Sequence, residues 1–161
     1  MTLAAIDAYS ISVFIHVTAV MIGFGATFAE AIFFPVAMKV GQLHLPYVHR
    51  LQLAINQRLA TPAMVVIIVT GLYQTADADW GFGSAWISAT FAIVIVVGGL
   101  LGAYFVPSDR RLAALAESDL AATGQVSGDY LAQARRQGMI GALTGVLLII
   151  AVFLMVTKPG A

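Results

Sequence analysis

The stretch ISVFIHVTAVMIGFGATFAEAIFFPVAM, residues 11–38, decides the fold of this chain. As an α-helix rising about 1.5 Å per residue it extends roughly 42 Å, which exceeds the roughly 30 Å hydrocarbon core of a bilayer. His16 and Glu30 are the only histidine and the only glutamate inside an apolar run. They are two heptads apart, so both side chains project from nearly the same helix face. Gly23 and Thr27 lie between them on that face, and we expect the face to contact other helices rather than lipid.

The composition places the chain among integral membrane proteins. It is 60% hydrophobic and 10% charged, with a mean hydropathy of +0.92, whereas an average soluble domain is about 25% charged. A soluble domain of 161 residues has too small an interior to bury so much apolar surface. The absence of cysteine excludes disulfides, thiolate metal sites and cysteine nucleophiles. The length predicts one transmembrane domain covering residues 1–161.

Four apolar segments are long enough to span a bilayer, and they predict an all-α, four-helix transmembrane bundle. Their approximate bounds are 11–38, 59–76, 85–106 and 138–157. Seven of the eight lysines and arginines lie in the first and third connections, which share one side of the membrane in a four-span protein. Because cytoplasmic loops are enriched in lysine and arginine, we predict both termini outside the cytoplasmic membrane of a bacterium and both long connections inside.

The third connection predicts a cytoplasmic helical insertion over residues 108–137. The sequence RRLAALAESDLAA at 110–122 has apolar residues at helical spacing, and Ser108 stands where it can cap such a helix. A second helical piece over 129–137 is expected to run straight into the fourth span. The main interpretation is a solvated hairpin resting on the inner membrane surface, and the alternative is a docking surface for a partner.

Glu30 is the most costly placement in the sequence. A carboxylate in the hydrocarbon region costs a few kcal/mol on insertion scales, so it has to be protonated, paired or in contact with water. The structural interpretation is a Glu–Arg or Glu–Thr contact between the first and second spans, and the nearest cation is Arg58, which stands at the inner start of the second span and can reach inward. The functional alternatives are a proton or cation site and the polar end of a substrate cavity.

His16 lies about one turn inside the outer boundary of the first span. One interpretation is a packed histidine bonded to a residue of the second or third span, where Thr70, Tyr73 and Thr90 lie at similar depth. The functional interpretation is axial ligation of a b-type haem. No second histidine lies inside an apolar segment, and Met155 is the candidate for the sixth ligand.

His16 and Glu30 are too far apart to bind one small ligand together, since fourteen residues of helix separate them by about 21 Å. They can bracket a long apolar ligand or mark two stations on a proton path. His44 and His49 are a poor metal pair, because no cysteine or carboxylate accompanies them. The sequence therefore predicts no metal site.

Short motifs carry a resemblance to known families. VTGLYQ at 69–74, WGFGSAWI at 80–87 and VPSDRRL at 106–112 resemble a family of predicted four-helix bacterial integral membrane proteins of unknown function. His16 followed by Gly23-Phe24-Gly25 is similar to the start of copper-resistance D-type proteins and of membrane protoporphyrinogen oxidases. This second resemblance implies a haem or porphyrin contact at His16, and no other functional residue of those enzymes carries over.

Three functional hypotheses follow, and none of them requires an enzyme. The first is a site for a hydrophobic or haem-like ligand, with His16, Gly23, Thr27 and Met155 as cofactor-binding residues and haem b as the candidate cofactor. The second is a proton or small-solute transporter that uses Glu30. The third is a non-catalytic subunit or scaffold that assembles with itself or with a partner membrane subunit. The expected surroundings are the lipid bilayer, with no nucleic acid.

Overall fold

The computed structural model describes residues 7–77 and 81–160, and its regular elements there are helical. The α-helices are α1 (Ala8–Val40), α2 (Leu45–Ile55), α3 (Thr61–Asp77), α4 (Ala85–Leu100), α5 (Val106–Thr123) and α6 (Gly128–Thr157). A 3-10 turn, Gln42–His44, precedes α2. The π-helical turns Asn56–Ala60 and Leu101–Phe105 join α2 to α3 and α4 to α5 without a break.

The described chain therefore forms four long helices. Ala8–Val40, Gln42–Asp77, Ala85–Thr123 and Gly128–Thr157 are each long and apolar enough to cross a membrane. This confirms the predicted all-α, four-helix transmembrane fold. The orientation of the termini stays a prediction, so the two ends of the bundle are named by their contents. The basic end is where the chain passes from α1 to α2 and from α5 to α6, and the terminal end is the opposite one.

The connections at the basic end are extensions of the spanning helices, and α6 runs from Gly128 straight into the fourth span, as the sequence predicts for residues 129–137. α5 continues α4, so Ser108 does not cap a helix start, and its hydroxyl donates to the Gln137 side-chain oxygen instead. Gly124, with φ of 74°, ends α5, and the Ser127 hydroxyl caps α6 by accepting from the Tyr130 amide. The helical insertion predicted between the third and fourth spans is therefore present as extensions of both spanning helices, and its position relative to the membrane surface stays a prediction.

These extensions are held together by a second apolar core. The first core joins the four apolar segments and consists of Ala19, Phe24, Met64, Ile67, Val94, Val97 and Leu148. The second core is made by the end of α1, by α2, by α5 and by the start of α6, and it consists of Ala37, Leu45, Leu112, Ala116, Val126, Tyr130 and Ala134. Burial of this second set stabilises α2 and α5 as helices, because their polar composition alone would not do so.

The first core depends on a close approach between α1 and α3. Gly23 is buried on α1, and a Cβ atom placed there would lie 3.0 Å from the Ala63 Cβ. Small residues of this kind let helix backbones approach where lipid supplies no hydrophobic drive between helices. The expectation that this face of α1 contacts other helices is confirmed at Gly23.

Candidate functional site

The polar face of α1 is divided between two cavities. The Glu30 cavity has a volume of about 470 Å³ and includes Glu30, Thr27 and Gly23 in its lining. The His16 cavity, of about 460 Å³, is lined by His16 at the terminal half of the bundle. Phe24 lines both and so separates them. The division agrees with the expectation that His16 and Glu30 are too far apart to bind one small ligand.

The Glu30 cavity has apolar walls and one polar region. Its apolar lining comes from α1, α3, α4 and α6 and from both π-helical turns. Its polar lining, apart from two threonines, consists of Glu30, His49, Gln52, Asn56 and Gln137. None of the described residues that line it is a lysine or an arginine. The cavity therefore combines a largely apolar volume with a small set of hydrogen-bonding groups that carry no permanent positive charge.

A fully buried carboxylate, Asp109, lies behind this polar region. The Asn56 side-chain amide donates to one of its oxygens at 2.9 Å, and the Gln137 amide donates to the other at 2.5 Å. Ser108 in turn donates to the Gln137 oxygen. These bonds, here called the Asp109 clasp, join three of the four long helices in one plane. Because both oxygens of Asp109 accept amide hydrogens, this carboxylate is satisfied within the protein.

His49 and Tyr130 form a second buried pair next to the cavity. The His49 Nε2 atom lies 2.7 Å from the Tyr130 hydroxyl oxygen, and both residues are almost inaccessible. A buried hydroxyl needs an acceptor for its hydrogen, and Nε2 is the acceptor within reach, so we assign the tyrosine as donor. The histidine proton then lies on Nδ1.

Three polar atoms of the Glu30 cavity are buried without a hydrogen bond of normal geometry, although the side chain of His49 interacts with Gln52 and that of Glu30 with Asn56. They are Oε1 of Glu30, Nδ1 of His49 and Oε1 of Gln52. A buried polar atom left unpaired costs about 1–3 kcal/mol. Three of them lining one cavity form a site that a hydrogen-bonding group would stabilise.

In the His16 cavity, a hydrogen bond determines which ring nitrogen of His16 carries the proton. His16 Nδ1 lies 2.8 Å from the Thr70 hydroxyl oxygen, and Thr70 donates its own hydrogen to the Val66 carbonyl at 2.6 Å. The threonine can therefore only accept from the ring, which puts the proton on Nδ1 and leaves a lone pair on Nε2. Of the three partners that the sequence offers for His16, namely Thr70, Tyr73 and Thr90, the structure shows Thr70. Gly71 gives the ring room, since a Cβ there would lie 3.5 Å from the His16 Cε1.

The predicted cofactor residues are split between the two cavities. Met155 lines the His16 cavity together with His16, whereas Gly23 and Thr27 line the Glu30 cavity. The Thr27 hydroxyl donates to the Gly23 carbonyl at 3.0 Å, so its hydrogen is used within α1. The four residues therefore do not form a single site, although His16 and Met155 share one.

Comparison with known protein families gives one match, which extends over both cavities. A family model described as predicted integral membrane protein (DUF2269) matches residues 10–159. The chain belongs to this family. No curated protein and no solved structure matches it. Membership in DUF2269 confirms the predicted resemblance to a family of integral membrane proteins, and the likeness to copper-resistance D-type proteins and protoporphyrinogen oxidases stays a prediction.

The expected ion pair between Glu30 and Arg58 is not formed in this DUF2269 chain. Arg58 is exposed, and the ion pair within residues 7–77 and 81–160 joins Arg50 to Glu117. Glu30 instead interacts with the side-chain amide of Asn56, and its carboxyl group lies close enough to the buried Asp109 for the two to repel each other. The reason is geometric: Asn56 points into the bundle, and a residue two positions further along a helix lies about 200° away from it.

Most of the polar region of this DUF2269 chain lies outside the residues that the sequence singles out. Asp109 stands in the motif VPSDRRL, but its neighbouring arginines indicate a solvated stretch. The sequence indicates His49 only as a weak metal ligand. Asn56 and Gln137 lie in connections between the apolar segments, and the sequence predicts that these connections are exposed to water. The sequence does contain a signal for this polar region. The polar residues at 52 and 56 are four positions apart, and the one at 137 is three positions after the buried Ala134, so each shares a helix face with buried neighbours.

Proposed function

We propose that this protein binds an amphipathic ligand within the membrane. The apolar body of the ligand occupies the Glu30 cavity, and its head group bonds to Glu30, His49 and Gln52. The observation that carries the proposal is a cluster of buried polar side chains, three of whose atoms lack a hydrogen bond of normal geometry, in a cavity of about 470 Å³ whose other walls are largely apolar. Small-molecule sites typically have volumes of about 300–1,000 Å³ and a few placed polar groups.

These three atoms define the chemistry of the head group. Oε1 of Gln52 is an acceptor, and so is Oε1 of Glu30 when this residue is ionised. Nδ1 of His49 is a donor in the tautomer assigned above. An anionic head would lie close to two carboxyl groups, Glu30 and Asp109, with no lysine or arginine among the described lining residues. The site therefore favours a protic head that is neutral or cationic, such as an alcohol, a phenol or an amine.

Three probes with the same chain and different heads test this chemistry. We expect 1-decanol and decylamine to raise the thermal unfolding temperature of the protein in nanodiscs, and decanoate to have no such effect. The comparison is made with Gly141→Leu, which fills the Glu30 cavity, and with Gly99→Leu, an exposed helical glycine that lines neither cavity. The proposal would be refuted if all three probes shifted the unfolding temperature equally, or if the shifts were unchanged in Gly141→Leu. Either result would show that the probes act by partitioning into lipid.

A second function is favoured by the His16 cavity, namely binding of haem b. The donor set fits an axial site, because Thr70 fixes Nδ1–H and leaves the Nε2 lone pair of His16, and Met155 lines the same cavity. Histidines that bind metals almost always donate their other ring nitrogen to a fixed acceptor in this way. When bound, the haem would be held by His16 and Met155 and would supply electron transfer.

The absorbance spectrum tests this second function directly. The protein is purified in detergent after expression with added haem precursor and measured as isolated and after dithionite. The haem hypothesis predicts a Soret band that shifts on reduction and is lost in His16→Ala but retained in the matched variant His44→Ala. A flat spectrum, or a band unchanged in His16→Ala, would contradict it. Transport through Glu30 and a scaffold role stay hypotheses of the sequence.

A further inference from the structure

The Asp109 clasp places several residues at the same depth of the bundle. Asn56 and Gln137 both donate to the Asp109 carboxylate, so positions 56, 109 and 137 lie in one plane across three helices. Glu30 interacts with Asn56 and Asp109, which brings α1 to the same plane. This plane, here called the clasp plane, crosses all four long helices.

Five exposed arginines lie at the clasp plane. Each is within two residues of a clasp member, which is about 3 Å along a helix. They are Arg58, Arg110, Arg111, Arg135 and Arg136. The members of the clasp point inward, and residues one or two positions away lie about 100–200° round the helix from them, so the guanidinium groups are distributed on the outside.

These arginines have no acidic partner within the described residues. The ion pair formed there joins Arg50 to Glu117. Asp109 is fully buried and bonded to amides, and Asp119 accepts from the Ser127 backbone amide. The clasp plane therefore carries a band of unneutralised positive charge on the outside of the second, third and fourth long helices.

On the second and fourth long helices this band lies where the exposed apolar surface starts, whereas on α1 exposed apolar side chains continue past the plane at Ile32, Val36 and Val40. Leu59 directly follows Arg58, and Met139 lies three residues after Arg136, and both apolar side chains are exposed. From these positions the helices continue as the apolar segments toward the terminal end. An arginine beside an apolar surface of this kind stands at the level of the lipid head groups.

We propose that Arg58, Arg110, Arg111, Arg135 and Arg136 form a binding surface for the phosphate groups of anionic phospholipids. The charge complementarity is direct, since five guanidinium groups without acidic partners among the described residues face the depth at which phosphodiesters lie. The lipids belong to the leaflet at the basic end. This surface is independent of the ligand proposed for the Glu30 cavity.

The same surface fixes how the bundle stands in the membrane. The second core, on the far side of the clasp plane from the apolar segments, lies outside the hydrocarbon. Glu30 then lies at the head-group boundary and not in the membrane interior. A carboxyl group at this depth has a smaller insertion penalty than one at the bilayer centre, which accounts for a glutamate without a cationic partner in the described chain.

Lipid retention tests the proposal. The protein is reconstituted in nanodiscs with equimolar phosphatidylcholine and phosphatidylglycerol of identical acyl chains, and the bound lipids are counted by native mass spectrometry after release. We expect retained lipid to be enriched several-fold in phosphatidylglycerol and the enrichment to decline at high salt. Each arginine near an anionic surface contributes about 1 kcal/mol, or roughly fivefold in affinity. Equal retention of the two lipids by the unaltered protein would overturn the proposal, and no variant is needed for this comparison.

A matched pair of double variants locates the surface. Arg110→Gln with Arg111→Gln removes two charges from the clasp plane. Lys39→Gln with Arg50→Gln removes two exposed charges that lie beyond it, roughly 9–13 Å away by helical rise. We expect the first pair to abolish most of the enrichment and the second to leave it intact. An equal loss from both pairs would show attraction by net charge alone and would refute a surface at the clasp plane.

Discussion

Replacing Gly23 by alanine is expected to destabilise the contact between α1 and α3. The new Cβ would stand 3.0 Å from the Ala63 Cβ, which is tighter than nine in ten Cβ contacts, and both atoms are fixed to helix backbones that cannot rotate away. Overpacking of this kind typically costs about 1–3 kcal/mol. Alanine gains about 1 kcal/mol over glycine in a helix interior, so the net loss is about 0–2 kcal/mol.

Gly25→Ala is the matched control for this substitution. Gly25 lies two residues further along α1, is exposed, and has no heavy atom within 4 Å of the position that an alanine methyl would occupy. The helix-propensity gain is common to both variants, so their difference isolates the steric effect. Unfolding by sodium dodecyl sulfate in mixed micelles, followed by far-UV circular dichroism, measures the free energy of unfolding. We expect Gly25→Ala to exceed Gly23→Ala by about 1–3 kcal/mol. Equal free energies for the two variants would refute the close approach of α1 and α3.

Three further predictions use the same preparation. Asp109→Ala leaves the amides of Asn56 and Gln137 without their acceptor, and we expect the free energy of unfolding to fall by about 2–4 kcal/mol, measured by the same titration. Tyr130→Phe removes the donor to His49 and is expected to cost about 1–3 kcal/mol, whereas Tyr47→Phe at an exposed position should change little, and equal effects would contradict the buried pair. The chain has no cysteine, so nitroxide labels at Val65→Cys and Leu131→Cys report depth by electron paramagnetic resonance. We expect the first label to be accessible to oxygen and the second to a water-soluble nickel complex, and the reverse order would contradict the clasp plane as the membrane boundary.

The sequence predicts the four spans well because a bilayer leaves the backbone little choice. A long apolar run has to satisfy its own backbone hydrogen bonds, and the helix does so. The second core escapes prediction for the opposite reason. Leu112 and Ala116 lie in a stretch of ordinary polarity, and their burial depends on Leu45 and Tyr130, which are distant in sequence. Contacts of that kind are set by tertiary packing and leave only a weak periodic signal.

The candidate site can be predicted only in part. Glu30 and His16 stand out because ionisable residues are rare inside apolar runs, and the partner of His16 follows from depth along straight helices. Depth alone does not identify the partner of Glu30, because Arg58 and Asn56 lie at nearly the same depth on opposite sides of their helix. Asn56 points into the bundle beside Glu30, and Arg58 is left on the outside.

Recovery of a bound ligand tests the central claim most directly. Protein purified in mild detergent is extracted with organic solvent, and the released molecules are compared by mass spectrometry with those from Gly141→Leu and Gly99→Leu. The account predicts an amphipathic molecule with a hydroxyl, phenol or amine head that is retained by the unaltered protein and by Gly99→Leu and is lost from Gly141→Leu. Extracts that are identical for all three proteins would contradict ligand binding in the Glu30 cavity.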